Sequence, residues 1–185
     1  MLFSRLSRTL VKFSKASITL AALVIFLIFS VVVLPGESSA AAVYSGSSGS
    51  PDLSLLYSPN DLYQMAELYG SAGRDAYVRA RFSFDLVFPI IYTLFLVTAI
   101  SRILGIITPE ASPWRMLNLV PILGMLFDFL ENISASIVIS RYPAQSPIFA
   151  NLAPVFTFLK WAFVGGSFLI LFVSGLASLF THKKN

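Results

Sequence analysis

The chain has 185 residues, 56% of them hydrophobic and 12% charged, with mean hydropathy +0.79 and a formal net charge of +4. Soluble domains run at about 45–50% apolar and about 25% charged, so this composition identifies an integral membrane protein. The absence of cysteine excludes disulfides, thiolate nucleophiles, iron–sulfur clusters and thiolate zinc sites, and the single histidine, His182, sits in the C-terminal tail beside Lys183 and Lys184, outside the apolar runs.

Residues 1–17 carry Arg5, Arg8, Lys12 and Lys15 and no acid, which reads as a basic cytoplasmic flank. The apolar run 18–34 follows as a first span, ended by Pro35 and Gly36. A cleaved secretory signal is the competing reading, but this run is longer than the usual 7–15 residues. Residues 35–81 then form an outer segment. Its Ser-, Gly- and Ala-rich part, 37–51, reads as a flexible tether without a fold of its own. Ser58, Pro59 and Asp61 make a helix start and Gly70 a stop, predicting a short helix over 59–69. Leu62, Met65, Ala66 and Tyr69 recur at helical spacing, so this helix is amphipathic and should serve as a lid or surface helix.

The second span is expected over 82–104, bent at Pro89. Asp85 stands four residues after Arg81 near its outer end, where an interfacial ion pair is the simplest explanation. An inner loop over 105–115 precedes a third span over 116–139. An outer loop over 140–151 leads to a fourth span over 152–181, which is longer than a bilayer core requires. Basic flanks put both termini in the cytoplasm. The fold expected is all-α, a four-transmembrane-helix bundle forming one membrane domain, with a short amphipathic helix in the first outer loop.

The third span carries Asp128, Glu131 and Asn132 near its middle. An acid at the centre of a membrane helix costs on the order of 2.5–3.5 kcal/mol on insertion scales, so these groups must face protein, water or a partner. Spacings of i, i+3 and i, i+4 place all three on one side of the helix. Lys160 falls at similar depth on the fourth span, where it either pairs with Glu131 or snorkels to the interface beside Trp161. Asp128 has no basic partner of comparable depth, and Tyr92 and Asn132 are the groups able to hold it. The predicted polar site is Asp128, Glu131, Asn132, Lys160 and Tyr92, with Asp85, Arg74 and Arg81 at its outer rim. No metal and no cofactor are expected.

Two motif matches carry little. Asn132-Ile133-Ser134 fits a glycosylation acceptor but lies inside a span. Asp85 and Asp128 suggest a carboxyl pair of the intramembrane aspartyl-protease kind, yet residues 124–128 do not form the GxGD motif and Asp85 is too near the surface.

The segments YGSAGRDAY at 69–77, FDLVFPIIY at 84–92, FDFLEN at 127–132 and RYP at 141–143 resemble a pattern, YGxxGRxxY with FDxLEN, of four-span integral membrane proteins to which no activity is attached. That resemblance implies that lid, second span and acidic stripe belong to one site. A fainter likeness to the EXPERA bundle of sterol isomerases and ligand-binding proteins rests on acids inside a small bundle, but this chain has no bundle histidine. The pattern fits best a non-enzymatic binding or assembly protein of the cell membrane. Its partners would be the bilayer and a lipid, a small-molecule ligand or another membrane subunit, and not nucleic acid. A small proton-coupled transporter or channel-like protein, and a lipid-modifying enzyme of sterol-isomerase type, are the alternatives.

Overall fold

A computed structural model describes residues 2–181; the tail with His182, Lys183 and Lys184 lies outside the described residues. The protein is an all-α, four-helix membrane bundle. Four helical stretches are long and apolar enough to cross a bilayer: Ala16–Ser45, Gly70–Ile107, Pro113–Arg141 and Pro147–Phe180. Their lipid-facing sides show Val24, Ile28, Val31, Leu94, Phe172 and Leu176 to the exterior, as a bundle in hydrocarbon requires.

Helix α1 (Leu2–Phe13) is the basic flank, folded as an amphipathic helix across one end of the bundle. Its Ser7 hydroxyl donates to the Arg115 carbonyl at 2.9 Å, and Asn118 donates to the Ser7 carbonyl at 3.1 Å. Helix α2 (Ala16–Ile28) passes into α3 (Leu34–Ser45) through a π-helical turn, Phe29–Val33. Pro35 causes this widening: it has no N–H to donate, and its ring crowds the preceding turn. The Leu34 N–H bonds instead to the Phe29 carbonyl, five residues back.

The predicted tether over 37–51 is therefore mostly helix. Ala-rich sequence favours that state, and the chain leaves it only at Gly46 and Gly49, both with positive φ, followed by a short turn at Pro51–Leu53.

Helix α4 (Pro59–Leu68) begins with a full capping box between Ser58 and Asp61. Leu62, Met65 and Ala66 are buried against Ala135, Val138, Ile139, Ala150 and Ala153, so α4 lies over that end of the bundle. Gly70, at φ +63, ends it. The 71–81 stretch, expected as part of a loop, is helical as α5 (Gly70–Arg81), and a break at Ser83 separates it from α6 (Phe84–Ile107). A 3-10 turn, Pro113–Leu119, leads into α7 (Val120–Arg141), and α8 (Pro147–Thr181) completes the bundle. Helices α7 and α8 meet closely at Gly124, where an added Cβ would stand 2.9 Å from Val164 Cγ2. Phe26 of α2 stacks on Phe95 of α6 at 5.1 Å, the main aromatic contact holding the first span to the rest.

Candidate functional site

The polar side of α7 faces α6 and α8, and its three groups are enclosed: Asp128 is 8% exposed, Glu131 1% and Asn132 3%. Two donors hold Asp128. The Tyr92 hydroxyl donates to Oδ2 at 2.9 Å and the Asn132 amide to Oδ1 at 3.1 Å. The same amide reaches the Asp85 backbone carbonyl at 3.3 Å, so α6 is tied to α7 at two heights. A buried carboxyl with two such donors is compensated for much of its lost hydration.

Nearer the α4 end, Lys160 of α8 meets Glu131, Nζ to Oε2 at 2.5 Å. Lys160 does not snorkel to the interface; it is 4% exposed. Its ammonium also donates to Asp52 Oδ1 at 2.6 Å, and Asp52 Oδ2 accepts from Arg81 Nη1. Arg81 Nε lies 3.0 Å from Asp85 Oδ2, one helical turn on. Charges of alternating sign thus run from Glu131 through Lys160, Asp52 and Arg81 to Asp85, joining α7, α8, the link after α3, α5 and α6. With Asp128 included, four carboxyls surround two cations.

Asp52 was absent from the residues read as functional in the sequence. It stands just past the stretch read as a tether, 37–51, and the only signal was an acid following the proline that closes that Ser/Gly-rich run. The surrounding contacts fix it: Pro51 is fully buried, and the Trp161 indole donates to the Asp52 carbonyl at 3.2 Å. Nearby, Tyr57 shares a 3.0 Å hydrogen bond with Thr157, and burial pushes the Tyr57 hydroxyl well above its ordinary range, keeping it neutral.

The predicted rim needs two corrections. Arg74 does not join the network: it donates to the Ala66 carbonyl at 3.0 Å and lies over the Tyr142 ring at 5.3 Å, clamping α5 to α4 and to the loop after α7. Arg81 is an interior residue, 6% exposed, with its guanidinium over Tyr77 at 4.8 Å. Both are held by groups on other elements, which spacing along one helix does not reveal.

Within this site Glu131 Oε1 and Asn132 Oδ1 are buried without a hydrogen-bond partner among the described residues, while the nearby Thr157 hydroxyl donates to the Ala153 carbonyl. Among the described residues no three of His, Cys, Asp and Glu converge as a metal site. The arrangement is suited to locking helices together and to holding or moving a proton at Asp128. No family model, curated protein or solved structure matches this chain, so its functional reading rests on this geometry.

Proposed function

We propose that this multi-pass membrane protein is a non-enzymatic binding or assembly protein of the cell membrane, whose charge network holds the link before α4 onto the bundle. The observation that carries this reading is Asp52, shared by Arg81 and Lys160. The ionised groups of the network are paired with one another across four helices and the link, an arrangement that holds elements together and so favours binding or assembly over catalysis. The YGSAGRDAY and FDFLEN segments contribute to one end of the bundle, which supports reading them as a shared module of four-span proteins. Both termini are cytoplasmic in this proposal. This orientation is supported by the basic residues of the α1 end, Arg5, Arg8, Lys12, Lys15, Arg102 and Arg115, against Arg74, Arg79, Arg81 and Arg141 at the opposite end.

A double-mutant cycle tests it. Lys160→Met leaves Glu131 and Asp52 facing an apolar side chain and is expected to lower stability by about 3–5 kcal/mol, as breaking buried pairs does. Glu131→Gln combined with Lys160→Met should be better tolerated than Lys160→Met alone, read as unfolding in detergent micelles. Simple additivity of the two losses would refute the coupling on which the proposal depends.

A second reading, a proton-coupled carrier, is favoured by one observation: Asp128 is held by a hydroxyl and an amide and makes no ion pair among the described residues. Asp128→Asn would then abolish pH-dependent flux in liposomes while leaving the folded yield unchanged. Retained flux, or no flux in the parent protein, decides against it.

A further inference from the structure

A cleft of about 520 Å³ opens between α3, α5 and the start of α6, at the membrane border of the α4 end. Its base is the outer half of the charge network, Asp52, Arg81 and Asp85. Those three are satisfied by one another and by Lys160. Two further charged groups line the same cleft, Glu37 on α3 and Arg79 on α5, and neither has an ion-pair or hydrogen-bond partner through its side chain among the described residues. One is an anion and the other a cation.

Ser50 and Tyr44 also line the cleft, but their hydroxyl oxygens are enclosed within the protein, so recognition of a ligand there falls to the two charges. Most of the remaining wall is apolar, with Leu34, Ala41 and Phe84, interrupted by Ser38, Ser45 and Ser83.

We infer that this cleft seats the headgroup of a zwitterionic phospholipid, its ammonium toward Glu37, its phosphate toward Arg79, and its acyl chains along the apolar part of the wall. Charge complementarity selects this occupant. An anionic headgroup would leave Glu37 unpaired and beside it, and a simple amine would leave Arg79 unpaired. The inference rests on the binding reading above only in needing Asp52 held in place.

The test is lipid binding to the full chain in micelles, using short-chain phosphatidylethanolamine, phosphatidylcholine and phosphatidylglycerol and, as a soluble control, ethanolamine phosphate, followed by the shift in Tm and by lipid retained in native mass spectra. Saturable binding of the two zwitterionic lipids, weaker binding of phosphatidylglycerol and none of ethanolamine phosphate is the expected pattern. Glu37→Gln and Arg79→Gln should each weaken zwitterionic binding at least about tenfold, the scale of one lost charge-assisted hydrogen bond. Glu37→Arg should turn the preference toward phosphatidylglycerol. Equal binding of all three lipids, or no loss in Glu37→Gln and Arg79→Gln variants of unchanged Tm, would overturn the inference. Because neither residue belongs to the charge network, these results stand apart from the Lys160 cycle.

Discussion

At the scale of single residues, burial and pairing decide what each charge does. Tyr92→Phe removes one donor from Asp128 without changing the ring, and is expected to cost about 1–3 kcal/mol, the usual cost of leaving a buried acceptor short of a partner. Chemical denaturation of the variant in micelles checks this; a loss below about 0.5 kcal/mol would mean that the Tyr92 bond contributes little to Asp128. Asp128, Glu131 and Asn132 were legible in the sequence because polar groups stand out inside an apolar helix. Asp52 was not legible, because its importance comes from partners 29 and 108 residues away. Arg74 and Arg81 show the same limit from the other side. Both precede the predicted second span, and only their partners separate their roles: a carbonyl and the Tyr142 ring for Arg74, two carboxylates and the Tyr77 ring for Arg81.

At the scale of elements, local signals carry furthest where the chemistry is local. The Ser58–Asp61 box was readable from four consecutive residues and forms as read, with the Ser58 N–H donating to Asp61 at 2.7 Å. That backbone donor, with the Ser58 hydroxyl, holds the Asp61 carboxyl below its ordinary value. A lowered carboxyl stabilises the folded form fully above the unfolded value, about pH 4, and this contribution disappears as pH falls through the lowered value. Protection of the α4 amides against hydrogen exchange should therefore fall on acidification through that window, and Asp61→Asn should flatten the dependence. Helix α3 shows where local reading stops. Its small residues were compatible with a tether or a helix, and packing beside α5 selects the helix. A close approach was equally invisible at Gly124. Placing Leu there pushes a side chain into Val164 and its backbone, and should cost about 1–3 kcal/mol in overpacking, read as a lower Tm.

At the scale of the whole molecule, hydropathy and length delivered the four spans, because hydrocarbon permits little but closed helices. Their ends moved: α6 runs to Ile107 and α8 begins at Pro147, since helices continue past the hydrocarbon boundary until a proline or a satisfied turn stops them. The proposed orientation is open to a direct measurement, helped by a chain with no native cysteine. Glu110→Cys should react with an impermeant maleimide only from the cytoplasmic side, and Gln145→Cys only from outside. The reverse labelling would invert the topology.

The widened turn at Phe29–Val33 also sets the angular position of everything after it. A π-type turn accommodates one residue more than an α-turn, and one residue corresponds to about 100° of rotation around a helix axis. Deleting Val32 would let the wide turn close to an ordinary α-turn, so the lost residue is absorbed there and Glu37 and Tyr44 keep their facing; deleting Val31 as well leaves nothing to absorb the change and swings both by roughly that angle. In the double deletion the carboxylate and phenol would face away from the hollow they now border.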